Sequence, residues 1–366
     1  MKVLLIAPDL FGPPGGIARY AQMVCLSLVK AGHTVEAVVL ADPSNTHVPT
    51  TFDTPTLNYH PCHGNRLAFV QKSIEMALKI KPALILVGHV NFSPLGYGLA
   101  KLIGAKWATF IYGIDVWQPL PWHRRLAVRK SDQIISISKF TAQQAAQNNN
   151  LGKKGDVQIL HNCLAPSFEV AARPERQKPP RMNLLTVART TLAERYKGHD
   201  YVIRAMAIMR TRFPQLVYHI VGDGDWQPDL RKLADELGVS ENVVFHGRVS
   251  DEALLQHYID ATVFVMPSQC EGFGFVFIEA MAHGTPAIGG NLDATPEVIM
   301  DGVTGCLVDP TSVNAIATAI SYLLENPAQC EQMGINGQQH VQEKFSFDRF
   351  QQNLLKIIDR FVVDGR

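Results

Sequence analysis

Short, nearly continuous apolar runs alternate along this chain with segments of helical periodicity. KVLLIAP, starting at Lys2, is followed by a helical pattern over about Ile17 to Ala31 and then by TVEAVVLA; ALILVGH, KWATFIYG and QIISISK come later. A strand covered on both faces needs no polar alternation, so such runs joined by helices predict parallel strands with helices on either side. The first half therefore reads as α/β. Residues 169–181, EVAARPERQKPPR, are rich in proline and charge and lack apolar periodicity, which reads as a linker. The alternation restarts with NLLTVAR, DYVIRAMAIMRTRF, LVYHIVGDG, DLRKLADELG, NVVFHG, ATVFVMPS and TPAIGG, a second doubly wound unit. At the carboxyl end Phe350, Leu354, Leu355, Ile358 and Phe361 approximate one helical stripe, which must pack on something. The expected domains are 1–170 and 171–346, with a helix at about 347–366 returning to the first.

A length of 366 residues suits two such domains. Charged residues make up 18% and apolar ones 46%, with a formal net charge of +1, a balance that marks neither a disordered chain nor a nucleic-acid binder. Cys25, Cys62, Cys163, Cys270, Cys306 and Cys330 are scattered without a CxxC pair, as expected of reduced thiols. The start lacks the long apolar region and cleavage site of a signal peptide, and no apolar run approaches 18 residues. The expectation is a cytoplasmic enzyme.

Open parallel sheets bind ligands at the carboxyl ends of their strands, so strand-to-helix loops of both halves should supply the functional residues, in a cleft between them. The most informative loop is EGFGF, between ATVFVMPS and the helical FVFIEAMAHG. Gly272 and Gly274 allow close backbone approach, and the free amides at a helix start favour an anion such as phosphate. Glu271 precedes that helix and Glu279 lies about a turn inside it. A fully helical span of eight residues would separate these carboxylates by about 12 Å, beyond the roughly 5–9.5 Å of a glycoside-hydrolysing pair. They are expected to touch different parts of one extended ligand; the plainer alternative is a solvated loop acid and a helix-surface residue. Upstream, VARTTLAERYKGHD sets Arg189 at a strand end and Lys197 before a helix, two cations suited to a leaving diphosphate.

Other motifs carry less. Asp223 to Asp225, DGD, has the form of a metal-binding DxD but sits where a turn favours Asp and Gly for backbone reasons. His60, Cys62 and His63 crowd three soft ligands into four residues, unlike zinc spacing. GPPGGIARY is not the GxGxxG of a dinucleotide fold, which removes the main support for a dehydrogenase. WQPLPWHRRLAVRKSD places Trp117 and Trp122 beside His123, Arg124, Arg125, Arg129 and Lys130, a composition suited either to a solvated helix face or to an anionic membrane surface.

Taken together, EGFGFVFIE, its continuation AMAHGTPAIGG and PEVIMDGVTGCLVDP, the upstream VAR, YKG and IVGDGD, and the amino-terminal GGIARY resemble a retaining glycosyltransferase of family 4, of the bacterial cell-surface polysaccharide type. The resemblance is densest from about residue 183 to 310 and weakest between 40 and 80. It implies a GT-B fold, two Rossmann-like doubly wound parallel-sheet domains facing a deep cleft, with the acceptor on the first and the nucleotide-sugar donor on the second. By resemblance, Arg189 and Lys197 hold the donor diphosphate, Glu279 the ribose and Glu271 the transferred sugar. The amides of Gly272, Phe273, Gly274 and Phe275 assist, and Gly15 and Gly16 face the donor from the first domain. Where many relatives carry His-Gly, this chain has Tyr112-Gly113, so Asp115 is expected to take part of the histidine's work.

The implied activity is hexosyl transfer from a UDP-sugar, first of all UDP-glucose, to a polysaccharide or lipid-linked acceptor, with GDP-mannose as the alternative donor. Base recognition is expected around Gly247 to Ser250. No cofactor and no metal are required, and the basic tryptophan strip would bring the enzyme to the inner face of an anionic cell membrane. A nucleotide-sugar epimerase and a silent nucleotide-sugar binding subunit are the rival readings.

Overall fold

The computed structural model describes residues 1–12, 15–152, 157–168 and 182–362. The stretch read as a linker, 169–181, lies outside them, as does the side chain of Phe361. The chain divides into two compact units, Met1–Ala165 with Phe347–Arg366, and Pro166–Ser346.

The first unit runs β1 (Lys2–Ala7), α1 (Gly16–Lys30), β2 (Thr34–Val39), β3 (Leu57–Pro61), α2 (Arg66–Ile80), β4 (Leu84–Val87), α3 (Ser93–Ile103), β5 (Lys106–Ile111), α4 (Ile114–Trp117), α5 (Trp122–Arg129), β6 (Gln133–Ser136), α6 (Lys139–Asn149) and β7 (Val157–Ile159). Its strands are all parallel, in the order β3-β2-β1-β4-β5-β6-β7. The second unit runs β8 (Asn183–Val187), α7 (His199–Met209), β9 (Val217–Val221), α8 (Gln227–Glu236), β10 (Val243–Gly247), α9 (Asp251–Asp260), β11 (Val263–Met266), α10 (Phe275–Ala282), β12 (Ala287–Gly290), β13 (Gly305–Val308), α11 (Val313–Glu325) and α12 (Pro327–Lys344). Its sheet is parallel too, ordered β10-β9-β8-β11-β12-β13. The strand order reverses direction between β1 and β4 in one sheet and between β8 and β11 in the other. The loops leaving those strands diverge there and open a crevice.

The central strands β1, β4, β5 and β11 are buried along most or all of their length, which is why their sequences are continuous apolar runs. The hydrophobic pattern misses β3 and β7 because both are sheet edges and no residue in either is fully buried. On one face of the first sheet, α2, α3 and α5 contribute Phe69, Met76, Leu99, Ala100 and Ala127 to a common core with Leu4, Ile6, Ile85 and Val87. The last helix, α13 (Phe347–Val362), packs on α1: the Phe350 ring stands edge-on to Tyr20, Gln351 donates to the Ser27 carbonyl at 2.9 Å, and the Lys30 ammonium lies 4.7 Å from the Phe347 ring. Phe350, Leu354 and Ile358 are buried.

In the second unit His219 of β9, His246 of β10 and His257 of α9 meet. The His219 Nδ1 and His246 Nε2 atoms lie 2.9 Å apart, and the His246 and His257 ring centroids 4.3 Å. Burial first, then mutual repulsion, holds His219 down at about 4; burial also lowers His246 and His257, although Asp260 opposes it at His219 and His257. A folded unit that keeps these rings neutral binds fewer protons than the unfolded chain below the ordinary histidine value of about 6.5. Its stability should therefore be complete above that value and decline as the pH falls from about 6.5 towards 4. Thermal melting from pH 7.5 to 4.5 should show a declining transition for the second unit, and His219→Phe should flatten that decline.

Candidate functional site

The candidate site of the second unit is built where β8 and β11 part. β8 ends at Val187, and Arg189 follows in a loop shaped by close backbone approach: a Cβ on Gly222, whose φ is +137°, would lie 1.9 Å from the Ala188 carbonyl oxygen. The DGD segment thereby makes room for the β8 loop. Its Asp225 accepts from the Leu192 amide at 2.8 Å, and its Asp223 accepts from the Gly224 amide at 2.9 Å, the turn chemistry expected of it. A short 3-10 turn, Leu192–Lys197, carries the chain to α7.

That turn brings Lys197 to Glu271. The two side chains form an ion pair with only 16% and 10% of their surfaces exposed. Burial pulls the Lys197 pKa down, but Glu271 and then Tyr196 more than reverse this, so the ammonium stays charged. A loop-to-loop bond from Gln269 N–H to the Tyr196 carbonyl, at 3.0 Å, fastens the same two segments. Glu271 is thus no solvated loop acid, and the pair joins the loops on either side of the switch point. Arg189 is placed differently. Its guanidinium is 72% exposed and pairs with Glu194 at 2.5 Å, leaving it at the rim.

After Glu271 the chain turns into α10. Gly274 caps it in the left-handed region at φ 88°, no side chain caps the helix, and no acid lies in its first turn. A helix start without a side-chain cap turns its backbone N–H groups and the positive end of its dipole outward, which favours an anion there. Phe273 is buried against Phe345, which pins the loop from beneath. Glu279 sits one turn into α10 and is 3% exposed, so it is not a helix-surface residue. Tyr258 of α9 donates its hydroxyl to the Glu279 Oε2 at 2.7 Å, orienting the carboxylate.

At the switch point of the first sheet, α1 begins at exposed Gly15 and Gly16 without a side-chain cap. A Cβ at Gly15 would meet no atom of the described residues within 4 Å. Tyr112 follows β5 and is 8% exposed, and its hydroxyl finds no partner among the described residues. Asp115 is bonded to its own turn: its Oδ1 accepts from the Tyr112 and Gly113 amides at 3.2 and 2.5 Å and its Oδ2 from Tyr112 at 3.3 Å. Burial nonetheless raises it to about 7 against those amides. Tyr112 stands edge-on to Tyr20 at 5.4 Å and is stacked on His89 at 6.4 Å, a histidine that burial lowers to about 4. His89 escaped the sequence reading, although it stands just after a strand, at the end of ALILVGH.

The remaining motifs disperse. His60 bonds Glu36 at 2.7 Å while His63 approaches the Asp42 carbonyl at 3.2 Å. No group of three His, Cys, Asp or Glu among the described residues could hold a metal ion. Trp117 does not join Trp122 at the surface; its indole donates to Thr141 and packs on Phe140, whereas Trp122 is 71% exposed.

Two Rossmann-like parallel sheets, each with a crevice at its switch point, are the architecture of the GT-B fold. Known proteins place the chain further. Residues 173–340 match the family described as "Glycosyl transferases group 1" and residues 14–168 that described as "Glycosyltransferase Family 4". The GDP-mannose-dependent alpha-(1-6)-phosphatidylinositol monomannoside mannosyltransferase of Mycolicibacterium smegmatis is 33% identical over 257 residues, 65% of this chain and 66% of that one, just under two thirds. Its namesake in Mycobacterium tuberculosis H37Rv is 35% identical over 266 residues, 68% of each chain. Sucrose-phosphate synthase from Thermosynechococcus elongatus superimposes with a TM-score of 0.81 over 99% of both chains at 22% identity, a likeness of fold alone. The chain belongs to the family 4 glycosyltransferases, and its catalytic class is transfer of a sugar from a nucleotide-sugar donor.

Removing one partner of a buried ion pair leaves the other charge uncompensated, which costs about 3–5 kcal/mol. Lys197→Met should destabilise the second unit by about that amount, and adding Glu271→Leu should restore most of it. Urea denaturation of the single and double variants measures the coupling, and strict additivity would disprove it.

Proposed function

We propose that the protein is a mannosyltransferase that moves mannose from GDP-mannose to an acceptor hydroxyl on a lipid-linked or polysaccharide glycan, with retention at the anomeric carbon. The observation that carries this reading is the buried Lys197–Glu271 pair beside the uncapped start of α10. Hexosyl transfer itself follows from the family; mannose and GDP are favoured over UDP-glucose by the names of the relatives.

In this reading Lys197, the backbone amides from Gly272 to Phe275 leading into α10, and Arg189 from the rim stabilise the diphosphate as the bond from sugar C1 to phosphate oxygen breaks. Arg189 would exchange Glu194 for phosphate. Glu271 faces the hexose and Glu279, held by Tyr258, the ribose. The acceptor oxygen bonds to C1 and its proton passes to a departing phosphate oxygen on the same face, so no protein nucleophile is used. Gly247 to Ser250, at the end of β10, are assigned to the base. In the first unit, the vacant space over Gly15 supports close approach of a substrate anion to the start of α1. Asp115 contributes by holding the Tyr112–Gly113 turn.

Membrane contact is part of the same proposal. The layer of α2, α3 and α5 exposes Leu67 (66%), Leu78 (50%), Trp122 (71%) and Leu126 (49%). Residues 66–130 hold ten Lys or Arg against two Asp or Glu, in a chain whose net charge is +1. Apolar side chains set among cations suit an anionic bilayer surface. No described helix is long and apolar enough to cross a membrane.

Isothermal titration in EDTA should show GDP binding more tightly than UDP, and GDP-mannose binding more tightly than GDP-glucose. Binding of neither nucleotide would overturn the reading, and product formed from the donor without any acceptor would point to an epimerase. Lys197→Ala should slow GDP release from GDP-mannose by about 100- to 1,000-fold, the usual cost of one lost transition-state donor. Separately, reversing Arg124, Arg125 and Arg129 to Glu removes at least three favourable contacts of about 1 kcal/mol each. Binding to phosphatidylglycerol vesicles should then weaken by on the order of 100-fold.

A further inference from the structure

The loop after β12 holds Glu271 from behind. The Asp293 Oδ2 accepts the Glu271 backbone N–H at 2.6 Å, and the next residue, Ala294, donates its own N–H to the Glu271 carbonyl at 3.1 Å. The other Asp293 oxygen, Oδ1, accepts from the Thr295 amide at 2.9 Å. Both polar groups of Glu271's backbone are therefore bonded to two consecutive residues lying 22 and 23 positions further along the chain. The side chain of Glu271 is meanwhile bonded to Lys197, from the loop after β8. Asp293 is 4% exposed.

A buried carboxylate costs several kcal/mol of desolvation unless its lone pairs are met. Here they are met by backbone amides, one of them belonging to the residue assigned to the transferred sugar. Leucine or alanine at 293 would avoid the desolvation cost but would leave the Glu271 amide without an acceptor. Close packing adds to the fit: a Cβ at Gly290, the last residue of β12, would lie 2.1 Å from the Ser268 carbonyl, so the two loops leave the sheet in contact.

We propose that Asp293 is a positioning residue for the transfer reaction: its carboxylate fixes the backbone of Glu271 and thereby aims the Glu271 side chain at the hexose of the donor. The proposal rests on the reading of Glu271 as the sugar-facing group. Asp293 touches no substrate in this scheme, and nucleotide contacts through the diphosphate do not pass through it.

A carboxylate in this place can accept two amides only while it is ionised. Burial first, and Glu271 second, raise Asp293 to about 6 against the amides of Thr295 and Glu271 and the side chain of Thr295. The titrating groups that act on it are Glu271 and Cys270 on the loop after β11, and Lys197 is paired with that Glu271. Protonation would convert one oxygen from acceptor to donor, releasing one of the two amides as the pH falls through about 6.

The test uses the full chain and two variants, Asp293→Asn, which keeps the volume and one acceptor, and Asp293→Ala. Titration with GDP and with GDP-mannose separates the nucleotide from the sugar. Both variants should bind GDP within about twofold of the parent and lose most of the additional affinity the parent shows for GDP-mannose. GDP release from GDP-mannose should fall at least tenfold in kcat. The parent's affinity for GDP-mannose, whose diphosphate is esterified at both ends and carries no titrating proton near neutrality, should weaken below pH 6, and that step should vanish in Asp293→Asn. A parent with no preference for GDP-mannose over GDP would overturn the sugar role of Glu271 itself. A parent with that preference, matched by Asp293→Asn in affinity, kcat and pH profile, would overturn only the role of Asp293.

Discussion

The buried pair of Lys197 and Glu271 is the interaction on which the second unit's site depends. Each residue belongs to a different strand-to-helix loop, one after β8 and one after β11, and these loops diverge because the strand order reverses between them. A backbone bond from Gln269 to Tyr196 also joins these loops, and the ion pair adds the link between their side chains. With the bond, an ammonium and a carboxylate sit at the crevice floor in fixed relation to the start of α10. Their desolvation is expensive, so the arrangement is a poor device for stability alone. Charges held in this way need not rearrange, and preorganised charges act more strongly on their surroundings than mobile ones.

The neighbouring groups follow the same logic at smaller scale. Gly274 sets the chain in a left-handed conformation that ends the loop and leaves the α10 amides uncapped. Tyr258 orients Glu279 and Phe345 supports Phe273, in each case from an element the ligand need not reach. Arg189 is the exception: exposed and paired with Glu194, it lies at the rim, whereas Lys197 is buried.

In the first unit the turn at Tyr112 is closed by Asp115 through backbone amides, and the imidazole nearby is that of His89, from a different strand end. Sequence reading gave Asp115 a task facing the substrate because it counted residues along one loop. The fold adds a structural task, because two amides of that loop lie within reach of its oxygens. Trp117 misled for the same reason: adjacency to Trp122 in sequence suggested a shared surface, but a change of helix between α4 and α5 turns the two rings to different environments.

The parallel strands buried on both faces were legible in the chain as uninterrupted apolar runs, and the edge strands β3 and β7 were not, because half-exposed strands carry no such signal. Glycines and charges at strand ends marked the loops that matter, since ligand crevices of doubly wound sheets lie there. Glu271, Lys197, Gly274 and Glu279 could therefore be named from order alone. That Lys197 meets Glu271, that Glu279 is buried under Tyr258, and that Asp293 grips the backbone of Glu271 were decided by tertiary structure. These contacts join residues 74, 21 and 22 positions apart. Periodicity reports which face of an element a residue occupies, but partners across loops are chosen by strand order and close packing, which no local pattern encodes.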